Sequence, residues 1–167
     1  MEIGHREVTR SGAESTINQR PVWAGRGNHD MPGSDAAATR ELKGTVLYIE
    51  DNPINMDLIE TALSTFPGVK LIKATTGMEG IRLARSERPD FVLLDMHLPD
   101  IGGLEVVRAL NEEIANGKLR VTLLTADTLS MDIVKAMSLG AYDYWLKPLS
   151  LSKLEASLTR ALARKEE

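Results

Sequence analysis

From Gly44 onward the chain alternates between short apolar runs and longer segments whose apolar residues recur every three or four positions. Thr45-Val46-Leu47-Tyr48-Ile49 is β-branched and apolar, which predicts a buried strand. Asp51-Asn52-Pro53 then supplies a cap and a proline suited to a first helical turn, and the helix runs to about Phe66, ahead of Pro67-Gly68. Val69 to Ala74 alternates enough for a strand near a sheet edge. The pattern next predicts a helix from Thr76 or Gly77 through Arg85, ended near Arg88-Pro89, and a central strand over Asp90 to Leu94. Leu104 to about Ile114 reads as a helix stopped by Asn116-Gly117, Val121 to Thr125 as a buried strand, and about Ser130 to Leu139 as a helix ended by Gly140. Tyr142 to Leu146 and Ser150 to about Arg164 complete the series as a strand and a helix.

Five strands thus alternate with five helices. Nearly continuous apolar strands joined through helices predict an α/β fold with a doubly wound parallel sheet covered on both faces. Right-handed crossovers leave few topologies, and the two common doubly wound orders both place ligands at the C-terminal strand ends. The first 43 residues lack any such period. They hold Ser11-Gly12, Ala24-Gly25-Arg26-Gly27-Asn28 and Met31-Pro32-Gly33, with six basic residues against six acidic ones. They read as a flexible N-terminal extension or linker (1–43) ahead of one domain (44–167), with Trp23 a lone aromatic in it.

Net charge is -4 and the pI near 5.5, which argues against nucleic acid as a direct partner. The chain has no cysteine, so disulfides and thiolate metal sites are excluded. No apolar run approaches the roughly 20 residues needed to span a bilayer, and the N-terminus has no apolar h-region. A cytoplasmic protein with no membrane partner is the simplest expectation.

The C-terminal ends of the strands carry the candidate chemistry. Strand 1 ends in Glu50-Asp51, strand 3 in Asp95, strand 4 in Thr125-Ala126 and strand 5 in Lys147-Pro148. Each alone is ordinary, since Glu-Asp after a strand is often a helix cap and Lys-Pro a turn. Together they bring three acids, a hydroxyl and an ammonium to one rim. If strands 1 and 3 are neighbours, about 4.8 Å apart, the three carboxylates disfavour one another's ionisation unless a cation intervenes. A hard divalent ion with oxygen ligands, such as Mg²⁺, suits such a site. Lys147 is placed to hold an anion such as a phosphoryl group, and Thr125 can donate or accept one hydrogen bond. Nucleotide folds fail where they should show: Glu-Asp-Asn-Pro-Ile-Asn follows strand 1 in place of G-x-G-x-x-G, and no Walker A motif is present.

With Glu50-Asp51, Asp95 followed by Pro99 and Gly103, Thr125-Ala126, Tyr144 and Lys147-Pro148 in this order and spacing, the chain resembles the receiver domain of two-component response regulators, over about Gly44 to Arg164. The resemblance implies a flavodoxin-like (βα)5 fold with strand order 2-1-3-4-5. It implies that Asp95 is the phosphoacceptor, attacking the phosphorus of a phosphohistidine on a histidine kinase or histidine phosphotransfer protein. Asp51 would ligate Mg²⁺ directly and Glu50 through a metal-bound water, with Asp95 and the backbone carbonyl of His97 completing the protein ligands. Lys147 would contact a phosphoryl oxygen, and its bond to Pro148 would be cis. Thr125 and Tyr144 would be the switch pair. The downstream protein target would bind the surface of the fourth helix, fifth strand and fifth helix.

Glu50 stands where Asp is frequent in that family. His97 and Asp127, two residues after the phosphoacceptor and the switch threonine, occupy positions that tune how long the acyl phosphate survives. Nothing after Arg164 suffices for an output domain, so the chain is expected to be a stand-alone receiver or a piece of a larger protein; Glu50-Asp51-Asn52-Pro53-Ile54-Asn55 looks like receivers of hybrid kinases and phosphorelays. Such a domain is regulatory, catalysing only its own phosphorylation and dephosphorylation. The competing readings are a phosphorylation-independent interaction module, against which the intact Asp51, Asp95, Thr125, Lys147 set argues, and a Mg²⁺-dependent aspartyl-phosphate phosphatase. The latter chemistry wants an acid two residues after its nucleophile, where this chain has His97.

Two helical faces complete the expectations. On the first helix Leu58, Ile59, Ala62, Leu63 and Phe66 form the core stripe, Ile54 and Met56 flank it near the active rim as possible contacts for a helical phosphodonor, and Asn55 hydrogen-bonds nearby loops. On the last helix Leu151, Leu154, Leu158 and Leu162 face the core.

Overall fold

The structure, a computed structural model, describes residues 42–126 and 129–163. The reading of residues 1–41 as an extension and the role given to Asp127 lie outside these residues. Five parallel strands, β1 (Gly44–Ile49), β2 (Val69–Ala74), β3 (Phe91–Asp95), β4 (Val121–Thr125) and β5 (Asp143–Leu146), form one sheet in the order β2-β1-β3-β4-β5. This is the flavodoxin-like order expected from the resemblance. Between the strands run α1 (Pro53–Leu63), α2 (Gly77–Glu87), α3 (Gly103–Ala109), α4 (Asn111–Ala115) and α5 (Met131–Ser138), and α6 (Leu151–Ala163) follows β5.

Strand alternation divides the core in two. Leu47 and Ile49 of β1, Val92 and Leu94 of β3 and Leu123 of β4 face one layer, with Val107, Leu110 and Ile133 packed on them. Val46 and Tyr48, Phe91 and Leu93, Leu124 and Trp145 face the other, under Met56, Ile59 and Leu63 of α1 and Leu154, Leu158 and Leu162 of α6. Leu42, just ahead of β1, is buried in this second layer. β2 lies at the edge, as its alternation predicts, and keeps Lys70 and Lys73 exposed.

The helix starts follow their capping chemistry. Asn52 Oδ1 accepts from the N–H groups of Ile54 and Asn55, with Pro53 in the first turn. Thr76 and Ser130 cap α2 and α5 through Glu79 N and Ile133 N. The N-terminus of α2 has a second cap from across the molecule: Asp100 accepts Gly77 N and Met78 N at 2.7 and 2.9 Å. Those N–H groups, Met78 foremost, hold the Asp100 carboxyl below the usual carboxylate range.

Several expectations need correction. The single third helix is two, because Leu110 (φ -96, ψ 11) interrupts the helical backbone. No Gly or Pro marks this break, and Val106, Val107, Leu110 and Ile114 stay buried across it, so the apolar period continues while the backbone does not. On α1, Met56 is core and Leu58 is 62% exposed. Met56, Ile59 and Leu63 make a narrow stripe, and Leu58 lies about 200° from Met56, on the opposite side. On α6, Leu154, Leu158 and Leu162 are buried as predicted, but Leu151 in the first turn is exposed. Strand 5 also begins one residue later than expected, and α1 ends at Leu63 with Phe66 buried in the following turn.

The azimuth of α1 is directly measurable. Met56→Ala is expected to cost about 2–5 kcal/mol in urea denaturation, a buried large-to-small change. Leu58→Ala should stay within about 0.5 kcal/mol. Equal losses at the two positions would overturn the assignment.

Candidate functional site

β1 and β3 are paired through Ile49↔Leu94, which sets Glu50 beside Asp95 just past the last rung. Tyr48 and Glu50 continue one alternation of β1, Phe91, Leu93 and Asp95 one of β3, and Trp145 and Lys147 one of β5. All three polar groups therefore emerge toward the layer covered by α1 and α6. Glu50 and Asp95 are 1% and 3% exposed. A loop holds Asp95 in place behind them. Gly103 N donates to Met96 O, and a Cβ on Gly103 would lie 2.8 Å from Met96 Cα and 3.1 Å from Asp95 O, so the loop closes this tightly because residue 103 has no side chain.

The centre of the site is an ammonium between two buried carboxylates. Lys147 Nζ is 3.1 Å from Asp95 Oδ2 and 3.2 Å from Glu50 Oε2. Burial pulls the Lys147 pKa down, but the Asp95 and Glu50 carboxylates outweigh it, and the net shift is upward. Lys147 stays charged. The other oxygen of Asp95 accepts His97 N at 3.0 Å, while the His97 side chain is exposed. The Lys147–Pro148 peptide is cis, as expected, and Lys147 N donates to Thr125 O.

Glu50 is held from several directions. Its Oε1 accepts Asn52 N at 3.3 Å and Asn55 Nδ2 at 3.1 Å, and its Oε2 accepts Tyr48 Oη and Lys147 Nζ, each at 3.2 Å. Asn55 thus bonds the β1–α1 loop region, as its place on the helix predicts. Tyr48 was not singled out by motif or spacing. The available signal was its position: an aromatic hydroxyl in an otherwise aliphatic strand, on the same face as Glu50. Its ring is 2% exposed, and burial, then the Glu50 charge, raises its pKa far above normal, so the hydroxyl keeps its proton.

Asp51 is exposed beside this pair, and carboxylate oxygens of Glu50, Asp51 and Asp95 lie within 4.8 Å of one another. Among the described residues, three carboxylates face one ammonium. That imbalance, and an all-oxygen donor set, fit a small hard divalent cation. Thr125 is 1% exposed at the end of β4, one residue beyond the Asp95↔Leu124 rung. Tyr144 is 38% exposed on the outer face of β5 and is not in the buried cluster. So the structure brings together Glu50, Asp51, Asp95 and Lys147, seats Thr125 at the adjoining strand end, and places Tyr144 on the surface.

A groove of about 600 Å³ opens beside Lys147, lined by Tyr48, Ile54, Leu58, Ala62, Leu149 and Leu151. Ile54, Leu58 and Leu151 are 70%, 62% and 58% exposed. Among the described residues no helix is long and apolar enough to cross a membrane.

Residues 46–159 match the family described as "Response regulator receiver domain". Among curated relatives, the probable transcriptional regulatory protein TcrX of Mycobacterium tuberculosis is 38% identical over 121 residues, covering 72% of this chain and 50% of TcrX. Protein PilH of Pseudomonas aeruginosa is 31% identical over 71% of this chain and 97% of its own. The chain spans about half the length of TcrX and similar regulators. Among solved structures, the receiver domain of the sensor histidine kinase PA1611 of P. aeruginosa, which holds a magnesium ion in its active-site cleft, superposes with TM-score 0.64 at 28% identity, over 72% of this chain and 98% of that one. The receiver domain of Ssk1 from Saccharomyces cerevisiae, solved with the histidine phosphotransfer protein Ypd1, gives 0.67 at 26% identity over 74% and 92%. Sheet order, rim chemistry and sequence agree, and the chain belongs to the response regulator receiver domain family of two-component signalling, a regulatory family and not one of turnover enzymes.

Proposed function

We propose that residues 44–167 act as a cytoplasmic phosphorelay receiver that takes a phosphoryl group onto Asp95 and thereby changes its binding to partner proteins. The observation that carries this reading is the Lys147 ammonium shared between Asp95 and Glu50, with Asp51 within reach of both. A carboxylate oxygen of Asp95 attacks the phosphorus of a phosphohistidine. A P–O bond forms, the P–N bond breaks, and its electrons return to the imidazole. Phosphoryl transfer asks for in-line positioning and neutralised charge on the moving oxygens, and little else from the protein. Lys147, already beside Asp95, neutralises one side. Mg²⁺ would be held by Asp51, Asp95 and the His97 carbonyl, with Glu50 acting through a water, and would supply charge neutralisation on the other side.

Once Asp95 carries the phosphoryl group, Thr125 and Lys147 are the neighbours that answer the new charge. Thr125 moving to it would leave room behind for Tyr144, now 38% exposed on β5, to swing inward. The response reaches α5, β5 and α6, where Met131, Val134 and Leu146 are exposed apolar side chains suited to a protein target. His97, exposed beside Asp95, tunes the lifetime of the acyl phosphate, as Asp127 is proposed to do.

The phosphodonor is proposed to be a histidine kinase or a histidine phosphotransfer protein docking a helix along α1. Ile54 and Leu58 share the outward face of α1 and form one wall of the groove beside Lys147. Met56, the other flank residue on the helix, is core and takes no part.

Incubated with Mg²⁺ and acetyl phosphate, the chain should gain one phosphoryl adduct by intact mass, and Asp95→Asn should gain none. No adduct with any donor would leave a phosphorylation-independent interaction module as the better account. Lys147→Ala should slow adduct formation by about 10²-fold or more, the scale for removing one charge-stabilising donor. Ile54→Asp with Leu58→Asp should slow transfer from a phosphotransfer protein by at least about tenfold, through lost interface anchors, and leave labelling by acetyl phosphate unchanged. Equal slowing with both donors would remove α1 from the docking surface.

A further inference from the structure

We propose that Tyr48 is a positioning residue for the metal site: its hydroxyl fixes the Glu50 carboxylate in the orientation that serves the cation. The inference rests on the reading that Glu50 serves a bound Mg²⁺ through water.

Each oxygen of the Glu50 carboxylate takes two donors, all at 3.1–3.3 Å. The donors are not equivalent. Asn52 N is backbone at a long 3.3 Å, and Asn55 Nδ2 reaches Oε1 from α1. Among the described residues, Oε2 accepts from Lys147 and Tyr48. Lys147 is simultaneously bonded to Asp95, and in the proposed reaction it turns toward the phosphoryl group. With or without that turn, Lys147 is divided between two carboxylates, so among the described residues Tyr48 is the side-chain donor on Oε2 given to Glu50 alone.

Tyr48 suits a fixed role where Lys147 suits a mobile one. Its ring is locked in the core layer of β1, 2% exposed, and only two side-chain torsions set its hydroxyl. The Lys147 side chain, by contrast, is 25% exposed and has four. Glu50 is also one methylene longer than the aspartate frequent at this place, so its carboxylate has one more torsion to restrain. A phenol in the strand, two residues back and on the same face, supplies that restraint at the needed reach. Outer-shell donors of this kind typically matter about 10–100-fold for metal affinity.

Tyr48→Phe keeps the ring and removes only the hydroxyl. Mg²⁺ titrated into the full chain by calorimetry should show a dissociation constant raised about tenfold, the lower end of that range. Thermal unfolding without Mg²⁺ should show the variant folded, which separates a positioning role from a packing one. In a Glu50→Gln background, where the carboxylate is gone, adding Tyr48→Phe should change the constant by less than about twofold, as non-additivity of coupled residues requires. A change below twofold in the parent chain, a tightening, or the same tenfold factor in the Glu50→Gln background would overturn the inference. Glu50→Gln itself leaving the Mg²⁺ constant unchanged would instead remove the reading beneath it.

Discussion

Everything at the rim depends on one ammonium holding two buried carboxylates. Glu50 and Asp95 lie at the ends of adjacent strands with almost no solvent, a placement that like charges resist. Lys147 offsets part of that repulsion by bonding both at once. Such a pair is poor evidence of stability, since desolvation consumes much of the Coulombic gain. Its consequence is poise. Among the described residues, one positive charge stands against Glu50, Asp95 and exposed Asp51, an imbalance that fits a divalent ion. In the proposed transfer, the same lysine would exchange a carboxylate for a phosphoryl oxygen without finding new charge elsewhere.

The sheet converts this local electrostatics into geometry. Glu50, Asp95 and Lys147 continue strand alternations that face α1 and α6, whereas Thr125 continues that of Val121 and Leu123, which pack with Ile133 and Ala136 of α5. Asp95 and Thr125 thus belong to opposite layers and meet at the strand ends. In the proposed switch, a change at Asp95 that draws on Thr125 would act first on α5 and the adjoining β5, and not on the helix beside Glu50.

Much of this was legible in the chain. Strand positions followed from apolar runs because a buried parallel strand leaves its residues no other option, and Glu50, Asp51, Asp95, Thr125 and Lys147 could be found by reading strand ends alone. What the pattern could not carry were quantities that depend on azimuth or on single torsions. Leu58 and Met56 are both apolar, and only the actual contact of α1 with the sheet decides which is inside. Leu110 is buried on either side of a helical break, so burial gives no sign of it. Tyr48 reads as one more core residue until its hydroxyl is seen on Glu50. The cap that Asp100 gives α2 spans 23 positions to Gly77 and has no local signature at all.

The two ends of α1's role are therefore not independent. Its first turn is fixed by Asn52, whose side chain caps the helix and whose own N–H bonds Glu50, and by Asn55, which bonds the same carboxylate. Its inner stripe of Met56, Ile59 and Leu63 locks the rotation of the helix on the sheet. With rotation fixed, Ile54 and Leu58 must face outward, beside the groove that reaches Lys147. A partner helix lying on that face would rest on an element already bonded to the acid cluster. Docking and chemistry would then share one rigid reference, as the proposed in-line placement of a phosphohistidine at Asp95 requires.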